Sequence, residues 1–392
     1  MESVHAARPE VYVSAEEVER RTIRRGALVS CNNAFIDCRT PGSDKKENYA
    51  LIGSGVSQND GQLINLQEDH GYNIGAAAMP NGVTNSLHMH FTAEVFFNFR
   101  GEWLFRWGRG GQEGEYLSHE GDIVTVPTWI FRGFTNAGQD DGWLFTALGQ
   151  ANTGGIIWGP SVLQEAEGHG LYLTADNRLI DTVAGDEIPE DVDLIRPLPQ
   201  DIIDEMRTYT SEQMRRRVVT AADRQWSTAP FLCSLLPGGG AELAPVIGYG
   251  MAEDRNVEPP VANPHSFNVA WLRAHVGEGM LEHWHGETQV LIVRTGRWRV
   301  TLNLGDQAET VVLEPHDTFS VPVGSWRRFE VVEASDDEER YAEMVVVNGG
   351  DGRVRLHWDR EVWQQVADKG LSRDADGYVA PAFLLAHAVE DD

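Results

Sequence analysis

The feature that most constrains the fold of this chain is an internal repeat. His88 recurs as His283, 195 residues later, and the same separation holds for other glycine, proline, aromatic and charged residues. The further matched pairs are Asn73 and Asn268, Gly82 and Gly277, His90 and His285, Gly101 and Gly296, Trp103 and Trp298, Asp122 and Asp317, Pro127 and Pro322, Arg132 and Arg327, and Phe134 and Phe329. Because chance matches do not keep one register over about sixty residues, the chain contains a duplicated unit.

The repeated unit has the pattern of β-structure. Residues 95–107 (VFFNFRGEWLFRW) and 290–304 (VLIVRTGRWRVTLNL) combine aromatic and β-branched residues around a glycine, which predicts a hairpin in each repeat. A short apolar run that ends at Pro127, and again at Pro322, predicts a further strand. Many short strands separated by turns indicate a small closed barrel.

Helices are predicted only outside these barrels. Ser14 has the spacing of a helix cap, Gln200–Val218 has apolar residues at helical spacing, and Asp359–Lys369 is followed by a glycine. The expected fold is therefore all-β, with two barrels and peripheral helices. The expected ranges are an N-terminal extension at 1–54, barrel 1 at 55–158, a helical linker and connecting segment at 159–262, barrel 2 at 263–350, and a C-terminal helix and tail at 351–392.

The composition excludes several classes of partner. The net charge of −28 repels nucleic acid and anionic membranes. The N-terminus lacks the apolar core of a signal peptide, and no apolar run approaches the length that spans a bilayer. The three cysteines do not have the spacing of a metal box. We therefore expect a cytoplasmic protein that binds a small molecule and neither nucleic acid nor membrane.

Two histidines and an acid in the first repeat have the spacing of a metal site. Successive side chains of a strand alternate between its faces, so His88 and His90 project to the same side. Glu94 can reach that face beyond a slight break in the strand. Two imidazoles and one carboxylate form the facial triad that suits Fe²⁺, and also Mn²⁺, with coordination positions left open.

The chain resembles the cupin superfamily through this segment. The run Gly82-x5-His88-x-His90-x3-Glu94-x6-Gly101 matches the first cupin signature at every position. The second signature is Gly-x5-Pro-x-Gly-x2-His-x3-Asn. Its positions are filled in the first repeat by Gly121, Pro127, Trp129 in place of glycine, Arg132 in place of histidine, and Asn136. The resemblance implies two cupin barrels of the double-stranded β-helix or jelly-roll type, with His88, His90 and Glu94 as metal ligands.

The second repeat departs further from the signatures. His283 and His285 are kept, but Gln289 replaces the acid and Arg327 replaces the last histidine. His316 stands in place of the first glycine of the second signature. A neutral amide weakens the binding of a divalent cation, so we expect metal mainly in barrel 1. His283, His285 and Gln289 are the candidate ligands of a weaker second site.

Arginine replaces the last ligand histidine in both repeats and cannot act in its place, because a guanidinium has no lone pair to offer. Three interpretations of Arg132 and Arg327 remain open. The guanidinium forks onto a substrate carboxylate or enolate, it pairs with Glu94 and leaves the site without metal, or it turns outward and caps the barrel rim. Trp129 and Trp326 lie within three residues of the arginines and either wall a substrate pocket or fill the barrel mouth.

The first hypothesis for function is an iron dioxygenase that is distantly similar to the gentisate type. It would act on a small anionic aromatic or enediol substrate, with Arg132 as the anchoring catalytic residue. The alternatives are a manganese-dependent decarboxylase or isomerase, and a metal-free bicupin that binds a small ligand such as a sugar. Cupins commonly associate through their sheets, so we also expect a homo-oligomer.

Overall fold

The computed structural model describes residues 11–335 and 340–387 and divides into two compact units. The first-barrel unit is Leu28–Asp223, and the second-barrel unit combines Met1–Ala27 with Arg224–Asp392. The described helices are α1 (Ala15–Arg20), α2 (Pro160–Gly168), α3 (Gln200–Glu205), α4 (Ser211–Arg215), α5 (Arg360–Asp368) and α6 (Ala382–Leu385). None of them is long and apolar enough to cross a membrane.

Strands dominate both units, as the sequence predicts. The strands of the first half are β1 (Thr22–Ile23), β2 (Glu47–Ile52), β3 (Ile64–Leu66), β4 (Tyr72–Met79), β5 (Thr84–His90), β6 (Glu94–Arg100), β7 (Trp103–Trp107), β8 (Gly114–Ser118), β9 (Ile123–Val126), β10 (Arg132–Asn136), β11 (Gly142–Gly149), β12 (Ile156–Trp158), β13 (Leu171–Leu173), β14 (Leu179–Asp181) and β15 (Val218–Val219). Those of the second half are β16 (Glu242–Ile247), β17 (Phe267–Ala274), β18 (Gly279–Trp284), β19 (Gln289–Thr295), β20 (Arg297–Leu302), β21 (Glu309–Leu313), β22 (Thr318–Val321), β23 (Arg327–Glu333), β24 (Ala342–Gly349), β25 (His357–Trp358), β26 (Leu371–Arg373) and β27 (Val379–Pro381).

Two sheets form the first barrel. One has the strand order β15-β9-β6-β11-β4-β2-β3 and the other has the order β12-β5-β10-β7-β8. Strand alternation directs Phe96 of β6, Phe105 of β7 and Phe134 of β10 into a shared core, where their rings meet at 4.9 to 5.8 Å. This aromatic cluster fills one part of the barrel interior and leaves the polar ends of β5 and β6 outside it.

The second barrel repeats this arrangement. Its sheets have the orders β1-β22-β19-β24-β17-β16 and β21-β20-β23-β18-β25. Trp298, Phe319 and Phe329 are fully buried in its core. The fold class is thus all-β with two barrels and peripheral helices, as predicted.

The repeat is longer than the predicted barrels. β2 lies in the range predicted as the extension 1–54, β16 lies in 159–262, and β25 lies in 351–392, yet each is a strand of a barrel sheet. β2 and β16 keep the separation of 195 residues, whereas β11 and β24, and all the matched strands after them, are 200 residues apart. An insertion in the second repeat therefore breaks the register that revealed the duplication.

Two short arms each join the sheet of a barrel that does not follow them directly in the sequence. The first arm, α1 with β1, precedes the first barrel in sequence, but β1 pairs with β22 of the second. The second arm, α4 with β15, precedes the second barrel, but β15 pairs with β9 of the first. Ser14 caps α1 as predicted. The single helix predicted at Gln200–Val218 is wrong, because Met206 is extended and separates α3 from α4.

Candidate metal centre

The candidate centre of the first barrel lies where β5, β6 and β10 meet. β5 carries His88 and His90, a short turn follows, and β6 begins at Glu94. Arg132 begins β10 and is paired directly with His88 across the sheet. All four side chains are buried, with at most 5% of any residue exposed. The structure therefore brings together the four residues that the signatures singled out in this repeat.

Backbone carbonyls fix both imidazoles. His88 Nδ1 donates to the carbonyl of Ser86 at 2.7 Å, and His90 Nδ1 lies 3.4 Å from the carbonyl of Gly155. Such contacts place the proton on Nδ1 and leave the Nε2 lone pair free. One ligand atom from each of His88, His90 and Glu94 lies within 4.8 Å of the others. The donor set is two nitrogens and one carboxylate oxygen, which suits a divalent transition metal.

Arg132 holds one of the two Glu94 oxygens. Its Nε and Nη2 donate to Glu94 Oε2 at 2.9 and 2.5 Å. The other oxygen, Oε1, lies 3.3 Å from His90 Nε2. The rim-capping interpretation is wrong for Arg132, because its side chain is only 2% exposed. The ion pair forms, but it does not by itself empty the site, since Oε1 still faces the imidazoles.

The charges of these groups follow from burial and from Arg132. Burial, reinforced by the Arg132 guanidinium, lowers the pKa of both His88 and His90, so the imidazoles are neutral and able to bind a cation. Burial alone would raise the pKa of Glu94, but the positive charge of Arg132 outweighs it and lowers that pKa. Neutral imidazoles and an ionised carboxylate are the states that metal ligands require. The residues present therefore fit a metal ion.

A cavity opens beside the candidate centre. His88, His90 and Glu94 line it together with aromatic and small residues, and water-sized molecules have about 80 Å³ of space there. Arg132 is not among its lining residues, and neither is Trp129, which is half exposed and packs against the edge of Phe91. The structure thus places these two proposed substrate-binding residues outside the cavity. The buried anion that Arg132 requires is Glu94.

Trp129 keeps the backbone of the glycine that it replaces. Its φ of 62° lies in the left-handed region, and the equivalent Gly324 of the second repeat has a φ of 70°. A tryptophan there carries backbone strain that a glycine avoids. The turn before Arg132 therefore has the same left-handed backbone with or without a glycine.

In the second barrel, the guanidinium of Arg327 contacts the atoms predicted as metal ligands. Arg327 Nη1 donates to His285 Nε2 and to Gln289 Oε1, each at 3.0 Å. Its Nε and Nη2 donate to the carbonyls of Ser325 and Pro322. Two of the three predicted ligand atoms are thus already acceptors for one cation. These residues do not fit a metal ion, which would have to displace Arg327.

The two histidines of the second site are buried, and Glu287 Oε2 lies 3.2 Å from His285 Nδ1. His283 Nδ1 donates to the carbonyl of Leu281 at 2.7 Å, and its buried Nε2 has no hydrogen-bond partner in the part of the chain that the structure describes. Burial, followed by the charge of Arg327, lowers the pKa of both His283 and His285. Burial also lowers the pKa of Arg327 to about 9, which leaves it charged at neutral pH. Trp326 is buried, with 8% of the residue exposed.

Sequence reasoning missed three polar residues beside the first site. Asp37 and Lys46 form a buried ion pair, and Lys46 also donates to Asn85 on β5. At the separation of 195 residues their counterparts in the second repeat are apolar: Leu232, Ala241 and Met280. Extending the repeat toward the N-terminus would have exposed this contrast.

No family model and no curated protein matches the chain. A solved structure of oxalate decarboxylase from Lactobacillus farciminis, in a formate complex, is 11% identical over 79% of this chain and 82% of its own, with a TM-score of 0.48. The S161A mutant of Bacillus subtilis oxalate decarboxylase is 12% identical over 85% and 78%, with a TM-score of 0.49. The 7S globulin of Momordica charantia is 11% identical over 84% of both chains, with a TM-score of 0.48. The similarity to gentisate-type dioxygenases stays a prediction.

Proposed function

We propose that this protein is a metal-dependent enzyme with one divalent metal ion in its first barrel, and that it acts on a small oxygen-bearing molecule without net oxidation. Manganese-dependent decarboxylation or isomerisation is the class of reaction that we favour. The observation that carries the proposal is the convergence of His88, His90 and Glu94 beside a cavity, with their ligand atoms within 4.8 Å of one another. The second barrel, with Arg327 in the equivalent position, would serve the fold.

The charge of Arg132 favours this reaction class over the iron dioxygenase. Arg132 donates two hydrogen bonds to Oε2 of Glu94, which would be the single anionic ligand. These bonds withdraw negative charge from the carboxylate. A buried positive charge one residue from a metal stabilises the lower oxidation state, because groups that contact the ligands tune the redox potential of the ion. Activation of O₂ by iron requires the ion to give up electrons. The arrangement therefore suits a metal that stays divalent.

A bound divalent ion would act as a Lewis acid that polarises a carbonyl or carboxylate oxygen of the substrate. His88 and His90 would bind it through Nε2. The carbonyls of Ser86 and Gly155 contact Nδ1 of the two rings and so orient Nε2 toward the metal position. Arg132 fixes the Glu94 carboxylate so that only Oε1 faces the imidazoles. We also propose that the substrate is anionic, that the protein forms a homo-oligomer and that it is located in the cytoplasm.

The test is metal analysis combined with an oxygen assay. The protein is purified without added metal, its bound metals are measured, and samples reloaded with Mn²⁺ or Fe²⁺ are incubated with small 2-oxo acids, 2-hydroxy acids and catechols. We expect retained or preferred manganese, and turnover with no oxygen uptake. Oxygen consumption by the iron-loaded protein would support the dioxygenase instead. A protein with no affinity for either metal would contradict the whole proposal.

A further inference from the structure

A buried ion pair lies behind the first candidate centre. Asp37 and Lys46 have fully buried side chains and contact each other directly. Asp37 Oδ2 also accepts the backbone N–H of Ser86, and Lys46 Nζ donates to Asn85 Oδ1 at 2.8 Å. Burial of two charges costs more than a surface pair, so an apolar pair would hold this position at least as well for stability alone.

Lys46 determines which way the Asn85 amide points. An ammonium group can only donate, so the oxygen of the Asn85 side chain faces Lys46 and the Nδ2 amino group faces away from it. Among the described residues, Nδ2 has a contact with His88 Nδ1 at 3.4 Å. That ring nitrogen already donates its proton to Ser86, so it cannot accept. Asn85, which is 6% exposed and lines the cavity, therefore keeps a donor without an acceptor.

A second donor on the cavity wall is also unsatisfied. The Trp158 ring lies 5.4 Å from His88 and lines the same cavity. Its buried Nε1 has no hydrogen-bond partner in the described part of the chain. The equivalent Trp358 of the second repeat donates its Nε1 to Glu253 at 3.0 Å. Trp298 and Trp326 of the second barrel also have unpaired indole donors among the described residues, so Trp158 supports a bound acceptor only together with Asn85, which lines the same cavity.

The second barrel serves as an internal comparison. Its counterparts of Asp37, Lys46 and Asn85 are the buried apolar residues Leu232, Ala241 and Met280. The barrel fold is therefore formed without the polar cluster. The cluster occurs in the barrel with the metal-ligand set and is missing from the barrel whose site is filled by Arg327.

We infer that Lys46 is a positioning residue that aims Asn85 Nδ2 at an oxygen of the substrate bound beside the metal. The ligand class is a small oxygen chelate, such as a 2-hydroxy or 2-oxo acid. One of its oxygens would bind the metal and another would accept the Asn85 hydrogen bond. This inference rests on the proposed function, since it places the substrate at that metal.

The test compares two probes on the Mn²⁺-loaded protein by electron paramagnetic resonance. Glycolate binds through oxygens and offers further acceptors, whereas imidazole binds through nitrogen and offers none once bound. Asn85→Leu removes the donor, and the double variant Asp37→Leu/Lys46→Met removes the ion pair but keeps Asn85. The triple variant Asp37→Leu/Lys46→Ala/Asn85→Met copies the second repeat, which already forms a barrel with these residues.

We expect glycolate to bind roughly tenfold more weakly or worse to Asn85→Leu and to the triple variant, because a hydrogen bond to a charged group is lost. The double variant should lose part of this affinity, and imidazole and Mn²⁺ should bind all variants as they bind the wild type. Equal glycolate affinity in wild type and Asn85→Leu would overturn the inference while leaving the metal site intact. So would a loss of imidazole affinity in Asn85→Leu as large as its loss of glycolate affinity. Failure of the wild type to take up Mn²⁺ would instead overturn the proposed function.

Discussion

At the residue scale, one substitution has opposite consequences in the two barrels. Arginine replaces the last ligand histidine in each, and it lies directly across the sheet from His88 in one and from His283 in the other. Opposite Glu94 the guanidinium pairs with one carboxylate oxygen and leaves the imidazoles free. Opposite Gln289 the Arg327 guanidinium donates hydrogen bonds to both the His285 imidazole and the Gln289 amide oxygen. The sequence predicted the ligand set and the weaker second site, but not the direction of either guanidinium, which depends on its buried partner.

Glu94→Gln should convert the first site toward the second. Without the carboxylate, Arg132 loses its ionic partner and faces a neutral amide, as Arg327 does at Gln289. We expect the affinity for Mn²⁺ to fall tenfold or more, measured by titration of metal-free protein, with the circular dichroism spectrum unchanged. The matched control is Gln289→Glu, which should not lower metal binding in the first barrel. Unchanged affinity in Glu94→Gln would remove Glu94 from the ligand set.

Arg327→Ala should destabilise the second-barrel unit. The substitution leaves a cavity and removes the donor from His285 Nε2 and Gln289 Oε1, at a cost of about 2–4 kcal/mol in the free energy of unfolding. Methylguanidinium at millimolar concentration should restore part of the melting temperature of this variant and leave the wild type unaffected. A variant as stable as the wild type would show that the guanidinium contributes nothing to the barrel.

At the element scale, the sequence located the hairpins but not the whole repeat. The pairs Gly53 with Gly248 and Gly55 with Gly250 follow β2 and β16 at the same separation, and were available to a longer search. The later strands were hidden by the change of separation from 195 to 200 residues. The sheet that each arm joins was not predictable in this way, because a strand of two residues carries no local signal of its partner.

Asp317 is the anchor of the first arm and provides a test of it. Its carboxylate accepts from Arg24 Nη1 at 2.7 Å and from the backbone N–H of Arg25 at 2.9 Å. Asp317→Ala should lower the free energy of unfolding by about 2–3 kcal/mol, because hydrogen bonds to a buried charged group are lost. Urea unfolding measures this, with Arg297→Ala as an exposed control that changes stability by less than about 1 kcal/mol. An effect no larger than the control would mean that the arm is not held by this contact.

At the scale of the whole molecule, the fold class and three candidate ligands could be predicted from the sequence because glycines, histidines and alternating apolar residues are local signals. The polar cluster behind the site did not. Asp37 and Lys46 lie 49 and 39 residues before their contacts on β5, in a segment predicted as an extension. Contacts of this kind depend on how the chain returns to the barrel, which periodicity does not report.

The buried histidines should make the metal-free protein sensitive to mild acid. Burial, followed by Arg327, lowers the pKa of His283 and His285 below the ordinary 6.5, so the unfolded chain binds protons that the folded chain does not. Stability should be full above pH 6.5 and fall below it, by up to about 1.4 kcal/mol per pH unit for each such histidine. Urea unfolding between pH 7.5 and 5.5 measures this slope. His283→Asn should have a shallower slope, and an identical slope would contradict the assignment.

The most direct test of the central claim is the number of metal ions per chain in wild type, His88→Ala and His283→Ala after reloading with Mn²⁺ and removal of excess ion. We expect about one ion in wild type, close to none in His88→Ala, and about one in His283→Ala, because the ligand atoms converge in the first barrel and Arg327 fills the second. Loss of metal in His283→Ala with full occupancy in His88→Ala would contradict the account, as would two ions in the wild type.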